Sequence, residues 1–93
     1  MNEQQDGFDL LEYPCEFSFK AMCRQNAEND AETYIRAIIA NAGFDDRVRS
    51  SKSNPSRTGK FIAITVNVLL NEREELEGVY AALAAAEHVV MTL

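Results

Sequence analysis

Few side chains in this sequence are able to do chemistry, and their spacing limits what each can do. His88 is the single histidine. No serine or cysteine nucleophile stands in a motif that a histidine could serve as base, so nucleophilic catalysis has no recognisable constellation. Cys15 and Cys23 are the two cysteines, and their spacing fits no CxxC, zinc-knuckle or haem pattern. On one extended strand, residues eight apart hold their Cα atoms far beyond the ~7 Å limit of a disulfide. Both thiols are therefore expected free and reduced. One histidine, two unpaired cysteines and no EF-hand or HExxH spacing offer no metal site. With four glycines and neither GxGxxG nor GxxxxGK[ST], no phosphate-cradling loop or cofactor is expected. Glu72, Glu74, Glu75 and Glu77 look like an acid/base supply, but they fall where anions complement the dipole of a helix N-terminus. No catalytic residue is predicted. An enzyme would have to rest on Cys23 or His88.

The charges are more informative. The 93 residues hold 15 acids and 9 cations, a formal net charge of −6. Segments 1–34, 35–60 and 61–93 carry −6, +4 and −4, so the minority sign is concentrated in the middle. Between Arg47 and Lys60 five cations occur with no acid. Two readings stay open. The cations could protect an exposed edge strand against edge-to-edge pairing, or form a docking patch for an anionic ligand or acidic partner. On the second reading Arg47, Arg49, Arg57 and Lys60 are the candidate binding residues. Arg47 and Arg49, two apart, are expected on one strand face, where two guanidiniums could converge on one anion. The acidic balance argues against a general nucleic-acid binder. No apolar run approaches the ~20 residues of a membrane span, and residues 1–12 lack the basic start and apolar middle of a secretory signal. A small soluble cytoplasmic domain is expected.

The elements that must position these residues follow from periodicity. Residues 1–9 are read as a flexible acidic tail and 10–93 as one domain. Cys15 to Met22 alternates, with Phe17, Phe19 and Ala21 opposite Glu16, Ser18 and Lys20, the mark of a half-buried strand. Asn29 as N-cap, with Glu32 three residues on, predicts a helix start. Ile35, Ile38, Ile39 and Ala42 form its apolar stripe, and Gly43 with Phe44 its stop. Asp46 to Ser53 is expected to be a polar edge strand, joined through the turn cluster 54–59 to a strand from Lys60 to Leu70. Asn71 with Glu74 repeats the cap signature ahead of Leu76, Val79, Tyr80 and Leu83. His88 to Leu93 closes the chain as a short strand.

The order β-α-β-β-α-β is that of a ferredoxin-like α+β sandwich: a four-stranded antiparallel sheet with two helices on one face. The expected core comprises Phe17, Phe19, Ala21, Ile35, Ile38, Ile39, Val48, Ile64, Val66, Val68, Leu76, Val79, Tyr80, Leu83 and Met91. The other sheet face stays open. Ser18, Lys20, Phe61, Ala63 and Thr65 are the candidate docking residues on it, with Glu16, Asn67 and Val90 beside them.

Leu10-Leu11-Glu12-Tyr13-Pro14 and Phe17-Ser18-Phe19-Lys20-Ala21-Met22 resemble the opening of the YbeD-like family of small bacterial proteins. Pro55-Ser56-Arg57-Thr58-Gly59-Lys60-Phe61 is similar to its hairpin motif, and Val89-Val90-Met91-Thr92-Leu93 to its C-terminal strand. The resemblance implies an ACT-like, ferredoxin-like fold and a regulatory role, with an association with lipoate metabolism. Two positions depart from the pattern. Cys23 stands where family members often have Gly, and residues 24–28 lack the glycine that amino-acid-binding ACT domains place after their first strand. The expected function is a non-catalytic regulatory or interaction module. It would bind a protein partner, or form a weak homodimer, through its open sheet face or basic hairpin. The alternative is an ACT-like sensor of a small anionic metabolite or amino acid.

Overall fold

The computed structural model describes residues 11–24 and 30–92. The expected acidic tail, Asn29 as a helix cap, the stretch 25–28 and Leu93 lie outside the described residues. Four strands and two helices follow one another as β1 (Cys15–Arg24), α1 (Ala31–Ile39), β2 (Val48–Pro55), β3 (Phe61–Leu70), α2 (Arg73–Ala84) and β4 (Val89–Thr92). The strands form one antiparallel sheet in the order β2-β3-β1-β4. This is the ferredoxin-like α+β arrangement that the element order predicts.

The sheet is held by β3, whose alternation is complete. Ile62, Ile64, Val66, Val68 and Leu70 are all buried, while Phe61, Ala63, Thr65, Asn67 and Leu69 are half-buried. β1 is in register with it over all ten residues, from Cys15 opposite Leu70 to Arg24 opposite Phe61. Phe19, Ala21 and Cys23 therefore join the buried side of β3. Ile35 and Ile39 of α1 and Leu76, Val79 and Leu83 of α2 close over them, with Phe44 completing the core. Phe17, Phe19 and Tyr80 meet edge to face, Phe19 and Tyr80 with ring centroids 5.1 Å apart. Each fully buried large apolar side chain stabilises the fold by about 2 kcal/mol. This layer, not surface charge, holds the two helices on one face.

Local chemistry sets where each helix begins and ends. Asp30 caps α1: its Oδ2 accepts from the Thr33 N–H at 3.1 Å and the Thr33 hydroxyl at 2.8 Å. The chain then runs through a wider turn, Ala40–Phe44, in which Gly43 takes φ 105°, the left-handed value a stop needs. Ala42 lies on the exposed side of this turn rather than in the apolar stripe. α2 begins one residue later than Asn71 predicts. Glu72 is its N-cap without a side-chain cap bond, and the Asn71 N–H instead donates to Glu75 Oε1 at 2.7 Å.

Two further expectations are corrected. Asp45–Arg47 is a single tight helical turn, so the edge strand starts at Val48 and Arg47 is not on it. Met91 is not in the core but 49% exposed. The pairing of β1 with β4 slips between Met22 and Cys23, so Cys23 faces Val89 while Met22 faces Met91. The inserted residue, Val90, shifts the alternation and turns Met91 to the side away from the helices.

Candidate functional site

Because β1 and β3 alternate in phase, their second set of side chains shares the face opposite the two described helices. Glu16, Ser18, Lys20, Met22 and Arg24 lie opposite Leu69, Asn67, Thr65, Ala63 and Phe61 respectively. β2 extends the rows on one side, placing Ser50 by Asn67, Lys52 by Thr65 and Asn54 by Ala63. The expected docking residues Ser18, Lys20, Phe61, Ala63 and Thr65 are thus brought onto one face.

The face is graded along the strands. Next to the Glu16–Leu69 pair at one end, a hydrogen-bonded ladder crosses three strands: the Ser18 hydroxyl donates to Asn67 Oδ1, and Asn67 Nδ2 donates to Ser50 Oγ at 2.7 Å. The next row, Lys52, Thr65 and Lys20, puts an ammonium on each side of a threonine. The third row, Asn54, Ala63, Met22 and Met91, is apolar over three strands, and Val90, 45% exposed, adjoins it. The fourth pairs Phe61 with Arg24.

The basic residues expected to act together are divided. Arg47 is engaged: its Nη1 donates to Glu75 Oε1 at 2.6 Å, and its guanidinium sits 5.4 Å from the centre of the Phe44 ring. The hydrogen bond from Arg47 holds the Glu75 carboxyl below the ordinary carboxylate range, with the Asn71 N–H assisting. The same bond raises the pKa of Arg47. Arg49 stands at the slip in the β2–β3 pairing, near the start of β2, whereas Arg57 and Lys60 lie in the turn beyond its end. At ~3.3 Å per residue the intervening strand spans roughly 20 Å, too far for one small anion. The turn itself is firmly built. The Ser56 N–H donates to the Phe61 carbonyl at 2.9 Å, the Phe61 N–H to Ser56 Oγ at 3.2 Å, and Gly59 adopts φ 77°. Among the described residues Arg49, Lys52, Arg57 and Lys60 make no ion pair.

Neither minority candidate for catalysis gains support from its surroundings. Cys23 is fully buried, and desolvation pushes its thiol up, away from the thiolate a nucleophile needs. The His88 ring meets Tyr34 edge-on at 5.1 Å, and its backbone N–H reaches the Tyr34 hydroxyl at 3.5 Å. Among the described residues no three His, Cys, Asp or Glu side chains are grouped to hold a metal ion. No described helix is long and apolar enough to cross a membrane.

Sequence reasoning did not assign Met22, Arg24, Leu69, Ser50, Lys52, Asn54 or Met91 to the open face. Met22 was legible, since it continues the Ser18–Lys20 alternation. Lys52 needed the strand register, and Met91 needed the slip opposite it.

Residues 9–93 match the family described as "Protein of unknown function (DUF493)". The chain belongs to the DUF493 family. A UPF0250 protein of Paraburkholderia phytofirmans is 34% identical over 86 residues, 90% of this chain and 92% of its own length. One of Neisseria gonorrhoeae is 29% identical over 93 residues, the whole of both chains. The DUF493 fold is also similar to two solved structures. Protein HP0495 from H. pylori superposes with TM-score 0.70 at 17% identity, over 89% of this chain and 85% of that one. The C-terminal domain of the MgtC protein from Mycobacterium tuberculosis gives 0.65 at 22% identity, over 89% and 88%. At these identities the likeness is one of fold. The YbeD-like resemblance seen in Leu10–Pro14, the 55–61 turn and the closing strand is met by the DUF493 match.

Proposed function

We propose that this DUF493 chain is a non-catalytic regulatory module that works by binding a protein partner through its open sheet face. One observation carries the reading. Val90 and Met91, 45% and 49% exposed, continue the row Met22–Ala63 on a four-stranded sheet face over which none of the described elements packs. An apolar patch rimmed by lysines and polar side chains has the composition of an interaction surface. The ACT-like fold neighbours are compatible with regulation. The alternative, a sensor of a small anion, requires Arg47, Arg49, Arg57 and Lys60 to converge. The Arg47–Glu75 bond and the length of β2 weigh against that.

The test is a photo-crosslinking residue at Ala63 or, as control, at Glu77 on the exposed side of α2, introduced in a DUF493-bearing bacterium. A protein captured from Ala63 and not from Glu77 is the expected result. Monomer alone in sedimentation at high concentration, with no crosslink specific to Ala63, would remove the reading.

A further inference from the structure

The charges of the fold are sorted by layer. On the strands and the β2–β3 turn stand Lys20, Arg24, Arg49, Lys52, Arg57 and Lys60, against the single acid Glu16. The helices and their connections, 30–47 and 71–88, carry nine acids against three cations, and two of those cations, Arg47 and Arg73, are already paired with Glu75 and Glu77. Among the described residues Lys20, Arg24 and Lys52 stand on the open face beside the single acid Glu16, so a chain of formal charge −6 carries a basic sheet face.

Resting on the reading that the open face binds a protein, we propose that its occupant is an acidic amphipathic helix of the partner, laid across the strands. The row spacing defines it. The apolar row Ala63–Met22–Met91 runs between a cationic row, Lys52 and Lys20, and a second one, in which Arg24 faces Phe61. Rows two residues apart along a strand lie about 6.6 Å from one another. A helix about 10 Å wide covers the central row and brings both its flanks over the cations. Strands about 4.8 Å apart make the four-stranded sheet about 15 Å across, the length of about ten helical residues. The matching helix places apolar side chains at i, i+3, i+4 and i+7 and Asp or Glu on either side of that stripe. The salt-sensitive rim would steer association, and the thioethers of Met22 and Met91 would adapt to the partner's side chains. Single-stranded nucleic acid fits the face less well. Among the described residues, Phe61 alone of the aromatic side chains is available there for stacking, and the acids of the other layer repel phosphates.

The experiment pans a display library of random segments of about sixteen residues against the full chain, and the enriched segments are then tested on Met91→Asp. Retained folding of each variant is checked by its amide spectrum. Enriched segments should be acidic with helical apolar spacing. They should bind about tenfold or more weakly to the Lys20→Glu, Lys52→Glu double variant, and more weakly at about 500 mM than at about 50 mM salt. Exchanging their Glu for Lys should restore binding to that double variant. Neutral or basic segments that are still lost in Met91→Asp overturn the acidic helix while leaving the face as the docking surface. Segments indifferent to all three substitutions overturn both. Failure to enrich any segment, a homodimer abolished by Met91→Asp, or an oligothymidylate that shifts the same amides would each overturn the acidic helix.

Discussion

Arg47 and Glu75, 28 residues apart, meet at 2.6 Å and tie the turn before β2 to the first turn of α2. Glu75 also accepts the Asn71 N–H, so one carboxylate satisfies a helix-start donor and a guanidinium together. Arg47→Ala and Glu75→Gln should each lower the urea midpoint, and the double variant should lose less than the two losses combined. Glu74→Gln, on the exposed side of the same turn, is the control and should move the midpoint little.

The same pair predicts a pH dependence. Its bond to Arg47 lowers the folded pKa of Glu75. Its contribution is therefore fully present above the unfolded carboxylate value and is lost as the pH falls through the lower, folded one. Urea unfolding between neutrality and acid should show wild type losing stability below the ordinary carboxylate range. Glu75→Gln should lose less over the same interval. If the two profiles run parallel, the pair does not contribute in the folded state.

Phe19 is buried, and its ring meets both Phe17 and Tyr80, whereas Met91 is half exposed. Phe19→Ala should cost about 3–5 kcal/mol, a large part of the stability of a domain this size. Met91→Ala should change it by less than about 0.5 kcal/mol. Chemical denaturation of the two variants beside wild type checks both.

Gly43 and Gly78 should respond oppositely to alanine. Neither has an atom within 4 Å of an added Cβ, so space does not separate them. Gly43 at φ 105° would be strained, and Gly43→Ala should destabilise by about 1 kcal/mol or more. Gly78 lies in the interior of α2, and Gly78→Ala should stabilise by about 0.5–1 kcal/mol. Thermal melts of the two variants should move in opposite directions.

What could be read from the sequence was what depends on neighbours along the chain. The alternation of Phe61 to Leu70, the stripe Ile35-Ile38-Ile39, the stop at Gly43 and the polar edge at β2 all stand as expected. What could not be read depends on contacts between distant residues. Arg47 left the strand because Glu75 and Phe44 hold it in a tight turn. Met91 left the core because the pairing with Met22 slips by one residue. Cys23, Ile62 and Leu70 continue their alternations to strand ends that only full register reveals as buried. On the open face, Ser18, Lys20, Phe61, Ala63 and Thr65 followed from alternation. The grouping of the cations did not, since linear proximity says nothing about the reach of a straight β2.

The sorting of charge by layer also acts at a distance. Among the described residues, Lys20, Arg24 and Lys52 on the open side of the sheet and the carboxylates of the helical layer on the other form an electric dipole directed across the sheet. An approaching acidic surface therefore exerts a torque before any side chain touches. If the occupant is the acidic helix proposed above, the domain would meet it already turned sheet-first, in an orientation that diffusion alone would have to find by chance.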